Sequence, residues 1–335
     1  VAFEGNADVV RGPTQIVTVA STIIGPGVSL VDIAVADARL TLPPVASFLR
    51  DKLTIRDRTY TAKASPHKVV PDGAERYNEG VSSFQWMRRN GGVLVLEPDR
   101  ANNRWVVAGE SNHEPPRHSR GVYEATSSGG LPFGPGVFYL CGQVFNARAI
   151  GPTDQYGRSF SWSCPATAGN RMSIQVYSFC KWETGGKAVF RCSINDLTNV
   201  VAGVWLGNGT TASHLGATDT PGAKAYAGWA WSTRRGDSGW VAAVDNGANN
   251  PGTPTTADTG IPPIVGEPHE LVIEWFRGHA IMELYDSNRV LVYQVEEETD
   301  APPDGTSVGL IFGVYPLAAS VRTIYNYHCE VWVDQ

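Results

Sequence analysis

Glycine and proline together fill roughly one position in six of this 335-residue chain (36 Gly, 22 Pro). Few windows between them are long enough for a globular helix, so an all-α protein is excluded. The stretches between breakers are rich in β-branched and aromatic residues, which predicts strands separated by tight turns. Hydrophobic residues make up 42% of the chain and it carries 10 Trp, enough apolar surface for a packed core and unlike a disordered sequence. With 27 Lys+Arg against 33 Asp+Glu, bulk charge argues against a nucleic-acid binder. No apolar run approaches membrane-spanning length, and Val1-Ala2-Phe3-Glu4 lacks a signal pattern, so a soluble chain without membrane insertion is expected.

Organisation follows from where the pattern changes. Gln15 to Val19 and Val28 to Val35 read as two strands around the Gly25-Pro26-Gly27 turn. Lys52 to Asp57 alternates, with Leu53 and Ile55 on one face and Lys52, Thr54 and Arg56 on the other. Gly91 to Leu96 and Asn102 to Val107 read as a hairpin. Residues 111–130 are polar and broken by Pro115-Pro116 and Gly129-Gly130, as expected of a linker. The expected division is a small N-terminal β domain over residues 1–110, that linker, and a large antiparallel β-sandwich over 131–335. The alternation in Glu270 to Trp275 and His328 to Val333 gives its sheets one polar face.

All five cysteines follow residue 140, without a C-x-x-C pair, so neither a zinc ribbon nor a redox motif is indicated. Their apolar neighbours suit free core thiols, with one or two disulfides as the alternative.

The order Leu40-Thr41-Leu42-Pro43-Pro44, Leu53-Thr54-Ile55-Arg56-Asp57, Val69-Val70-Pro71-Asp72-Gly73, Gly91-Gly92-Val93-Leu94 and Asn103-Arg104-Trp105-Val106-Val107 resembles a β module common in bacteriophage fibres and spikes. The resemblance implies a homotrimeric stem that attaches to other virion proteins. Farther on, Glu270 to Phe276, Met282 to Asp286 and Val308 to Phe312 resemble the final strands of laminin-G-like and legume-lectin-like sandwiches, the concanavalin-type jelly roll. That implies an all-β head binding a host surface polysaccharide, displayed on a virion surface and made in the bacterial cytoplasm.

A saccharide site needs aromatic rings to stack on sugar C–H faces and polar groups to bond hydroxyls. Residues 226–250 offer both: Tyr226, Trp229, Trp231 and Trp240 with Arg234, Arg235 and Asp237. Trp229 and Trp231 share a sheet face, which suits either a ligand platform or core packing. Trp182 and Trp205, beside glycine-rich turns, are weaker rim candidates, with core or turn packing as the alternative. Arg235-Gly236-Asp237 is too short to carry an adhesion reading, and its glycine suits a turn. Asp245 to Asn250 has a single carboxylate, poor for calcium, so no cofactor is expected. For hydrolysis, Glu270 and Glu274 share a face but lie about 13 Å apart along one strand. Glu296-Glu297-Glu298 reads as the start of a solvated loop. With no catalytic motif of other kinds, attachment without cleavage leads. A capsule-degrading hydrolase or lyase and a structural virion decoration protein are the alternatives.

Overall fold

The computed structural model describes residues 13–78, 81–88, 90–110, 119–124, 138–141, 146–164, 172–208, 225–248 and 255–333. Almost all regular structure among them is β. The only helical segments described are two three-residue 3₁₀ turns, Val45–Ser47 and Trp182–Thr184. The chain divides into two compact units, Val1–Pro115 and Pro116–Gln335.

The first unit winds between two sheets. β1 (Thr14–Val17) lies in one, β2 (Ser21–Ile23) in the other, and β3 (Leu30–Ile33), β4 (Arg39–Thr41), β5 (Leu53–Asp57) and β6 (His67–Val70) continue the alternation. Successive visits to each sheet pair in parallel, with Val31 beside Ile55 and Leu40 beside Val69. These four side chains are fully buried and line the coil. The Gly25-Pro26-Gly27 turn therefore does not close a hairpin. Parallel strands need a crossover, and the segment between β1 and β3 is long enough to place a strand in the second sheet. β7 (Arg76–Tyr77), β8 (Gln85–Met87), β9 (Val93–Asp99) and β10 (Arg104–Glu110) complete the unit, the last two as the expected antiparallel hairpin. Trp105 packs edge-on against Phe48 at 4.9 Å in its core.

One buried polar pair locks β6 to β5. The Ala38 N–H donates to His67 Nδ1 (3.1 Å), so Nε2 carries the hydrogen and donates to Asp57 Oδ1 (3.3 Å). Burial lowers the His67 pKa, against the opposing effect of Asp57.

The second unit holds β11 (Ser119–Glu124), β12 (Phe138–Cys141), β13 (Asn146–Asp154), β14 (Gly157–Cys164), β15 (Met172–Lys181), β16 (Gly186–Ile194), β17 (Val200–Gly207), β18 (Ala225–Ser232), β19 (Val241–Asn246), β20 (Thr255–Asp258), β21 (His269–Phe276), β22 (His279–Tyr285), β23 (Leu291–Glu297), β24 (Ser307–Pro316) and β25 (Arg322–Val333). They form two antiparallel sheets. One runs β13-β14-β25-β16-β21-β22-β23, with β11 also on β25; the other runs β12-β15-β24-β17-β18-β19-β20. Consecutive strands β14 to β17 alternate between the sheets, as in a jelly-roll sandwich. The polar run expected as a linker thus contributes a strand, β11, which pairs with β25 over Ser119 to Glu124. Its backbone partners come from the far end of the chain, and its own composition carries no sign of them.

Cys192 and Cys329 are free thiols buried in the sandwich core, and Cys180 is half-buried. Burial pushes the Cys192 thiol up to about 12 and the Cys329 thiol upward as well.

Candidate polar face of the eight-stranded sheet

The aromatic residues singled out by sequence lie inside. Trp229 Nε1 donates to the Val272 carbonyl on β21 at 2.9 Å, bonding one sheet to the other, and its ring meets Tyr293 edge-on. Trp231 shares that inward face by strand alternation. Trp205 faces the opposite way: it is in register with Gly228, while Val204 pairs with Trp229. A Cβ at Gly203 or Gly228 would fall 2.4 Å from the Trp205 ring, so both glycines are needed for the indole to lie against the sheet. Tyr226, two residues from Gly228, faces the same way. Trp240 approaches His269 Nδ1 through its Nε1 at 3.4 Å, and Trp182 packs beside Trp275. Burial lowers the pKa of that histidine. All six rings are buried, so the reading of Tyr226, Trp229, Trp231, Trp240, Trp182 and Trp205 as exposed stacking platforms is corrected. The reason is local: every residue of β17 and of β18 is buried, so both sides of these strands are covered.

Arg234, Arg235 and Asp237 occupy the turn after β18. Arg235 grips the Asp237 carboxylate with Nε (2.8 Å) and Nη2 (2.5 Å), and Asp237 accepts the Ser232 N–H at 2.7 Å. Arg235 and Asp237 therefore close their own turn, and Arg234 is exposed beside them. In the next loop, Asp245 Oδ1 accepts the Gly247 N–H and Asn246 Oδ1 accepts the Ala248 N–H, the short-range bonds of a turn. Burial, and then the charge of Asp300, raise the Asp245 pKa. Asn249 and Asn250 lie outside the described residues.

The accessible chemistry is on the outward side of the eight-stranded sheet. Because Ala188, Phe190, Leu271 and Ile273 point into the core, their alternates Lys187, Val189, Arg191, Glu270, Val272 and Glu274 point out. Register then carries the face across the sheet: Trp332 beside Lys187, Lys187 beside Glu274, Val272 beside Glu283 and Glu283 beside Gln294. Lys187 Nζ sits 3.7 Å from Glu283 Oε2 and 4.0 Å from Glu274 Oε2. Glu283 is further held by the Tyr285 hydroxyl and the Gln294 amide, each donating at 2.9 Å. One row along, Arg191 donates to the Ser287 carbonyl and lies 6.0 Å from the Tyr156 ring centre. His328 Nε2 lies 3.2 Å from Glu330 Oε2.

Two atoms of this network remain unspent: Gln294 Oε1 and Arg191 Nε have no hydrogen-bond partner. A buried acceptor and a buried donor without partners each cost free energy. Trp332 beside Lys187, Tyr285 against Glu283 and Tyr156 against Arg191 are half-buried.

Sequence reasoning reached Glu270 and Glu274 but paired them along one strand. The partner of Glu274 is Glu283, the diagonal neighbour on β22. Alternation in Met282-Glu283-Leu284-Tyr285 marks it as outward, yet only register places it beside Lys187.

No protein-family model matches the chain, and no curated protein matches it. Among solved structures, a protein of unknown function from Shewanella oneidensis MR-1 aligns with TM-score 0.47 at 10% identity, covering 64% of this chain and 86% of that one. A legume lectin-like domain from Entamoeba histolytica aligns with TM-score 0.42 at 12% identity, covering 59% and 90%. A Bacillus licheniformis beta-glucanase aligns with TM-score 0.41 at 8% identity, covering 64% and 99%. At this level of likeness the function of the present chain does not follow from theirs.

Proposed function

We propose that the second unit binds carbohydrate through the outward face of its eight-stranded sheet, and that the chain is a non-cleaving receptor-binding spike or fibre of a phage or phage-like particle. The observation that carries the saccharide reading is the Lys187, Glu274, Glu283 and Gln294 network, with half-buried Trp332 beside Lys187 and half-buried Tyr285 against Glu283. Rings at this exposure stack on sugar C–H faces, while the carboxylates, amide and ammonium bond hydroxyls. In the spike reading the first unit gathers three copies and joins other virion proteins. The motif order in residues 28–109 supports it, as do Ile16, Val19, Ile23, Leu49 and Tyr60, exposed apolar residues that a neighbouring copy would cover. Three linked heads turn weak sugar contacts into durable attachment to a host surface polysaccharide.

Retention on immobilised host capsule, with mass measured in solution, tests both parts. Trp332→Ala is expected to cut retention about tenfold, ~1.4 kcal/mol for a lost stacking ring, in a trimer of unchanged mass. A strict monomer without retention would overturn the proposal.

A second reading rests on Glu274 and Glu283. Oxygens that share one ammonium lie no more than about 8 Å apart, inside the span used by carboxylate pairs in glycoside hydrolysis. An ammonium between them suits a charge-balanced contact surface more than proton delivery, which favours binding. New reducing ends on incubation with capsule, lost in Glu283→Gln, would establish hydrolysis instead.

A further inference from the structure

At the edge of the eight-stranded sheet, His279, Glu296 and Glu298 converge, one donor atom from each lying within 4.8 Å of the other two. Phe276 pairs with His279 and Ile281 with Glu296, so His279 and Glu296 are diagonal neighbours on the outward face. Glu298 follows two residues later, just past the end of β23. The Glu296 side chain is only 5% exposed, and its Oε1 lies 3.2 Å from His279 Nδ1. The imidazole is held against the Phe276 ring, 4.6 Å away and tilted by 25°. Glu298 is exposed, leaving one side open to solvent. The expectation of a solvated acidic run is corrected accordingly: β23 continues through Glu297, and the Glu296 side chain lies largely buried on the outward face of the sheet.

We propose that His279, Glu296 and Glu298 bind a divalent transition-metal ion, with zinc the best match. One imidazole and two carboxylates form a mixed nitrogen and oxygen donor set that suits zinc and its first-row neighbours, whereas calcium takes oxygen donors. Zinc bonds of about 2.0–2.2 Å at tetrahedral angles place donors roughly 3.3 Å apart. His279 Nδ1 and Glu296 Oε1 already stand at that separation, 3.2 Å, so the closing movement falls to the exposed Glu298 side chain, by a change of rotamer. Two carboxylates this close repel each other, and the same face already carries Glu270, Glu274, Glu283 and Glu330 against Lys187, Arg191 and the Arg289 that pairs with Glu270. A dication at this point offsets that repulsion and ties the start of β22 to the end of β23, with water filling the open position.

The test uses the full chain, dialysed against chelator and titrated with zinc chloride by calorimetry at neutral pH. One zinc per chain is expected, with a rise in melting temperature. Glu298→Gln, a near-isosteric change on an exposed side chain, is expected to weaken binding at least about tenfold and to remove the thermal shift. His279→Asn is expected to abolish binding, and calcium chloride to give no saturable heat. Absence of saturable zinc binding would overturn the proposal, leaving a histidine–glutamate ion pair. So would stoichiometric binding that both variants retain, which would place the ion elsewhere.

Discussion

Trp229 separates a core role from a ligand role most cleanly, and Trp229→Phe is the informative change. The indole is fully buried and its Nε1 donates to the Val272 carbonyl of the facing sheet. A phenyl ring keeps much of the apolar contact but removes the donor, at about 1–3 kcal/mol for a buried acceptor deprived of its partner. The lost pyrrole volume leaves a cavity worth roughly 1 kcal/mol more. The expected loss is thus about 2–4 kcal/mol, which at a urea slope near 3 kcal/mol per molar lowers the midpoint of the sandwich transition by about 1 M. Near-ultraviolet circular dichroism follows that transition, and capsule retention is measured per folded molecule under native conditions. The reasoning is refuted if Trp229→Phe costs less than about 0.5 kcal/mol while polysaccharide retention falls, for then the ring would face ligand and not the other sheet.

Other expectations follow from buried groups. Gly228→Ala puts a Cβ 2.4 Å from Trp205 Cδ1 and 2.5 Å from the Val204 carbonyl, so thermal denaturation should register a loss of about 1–3 kcal/mol or more, as for an overpacked core. Burial holds the folded His67 pKa below the ordinary histidine value of 6.5. Its stability contribution is therefore complete above that value and is lost as pH falls toward the folded pKa, because the unfolded chain takes up the proton first. The urea midpoint of the first unit should fall between about pH 7 and pH 5, and the His67→Gln variant should lose this slope; an unchanged slope would remove His67 as its source. Cys192 and Cys329, both buried with raised pKa values, should resist a thiol reagent in the native protein and react on unfolding; rapid native labelling of either would contradict their placement.

Local patterns made the strands legible. Leu53 and Ile55 alternate against Thr54 and Arg56 and are buried as that pattern requires. The β9–β10 hairpin was readable because its register is set by its own turn. Pairing across longer separations was not. Gly25-Pro26-Gly27 is a sound turn signal, but whether the chain folds back or crosses to a second sheet depends on partners at Leu40, Ile55 and Val69. The same limit applies to β11, whose partner strand ends at Val333. The nearly continuous apolar run Ala225 to Trp231 signals a strand covered on both sides, and that signal outweighs the suggestion of an open aromatic platform. The polar residues that converge outside come from four strands, and only register assembles Lys187, Glu274, Glu283 and Gln294.

Oxidative footprinting of the full chain with and without a host capsule oligosaccharide addresses the binding face directly. Trp332 and Tyr285 should lose reactivity when the saccharide is added, while Trp205, Trp229 and Trp231 stay unreactive in both states. Ligand-dependent change at those three buried rings, or none at Trp332 and Tyr285 under saturating saccharide, would contradict the assignment of carbohydrate binding to the outward face of the eight-stranded sheet.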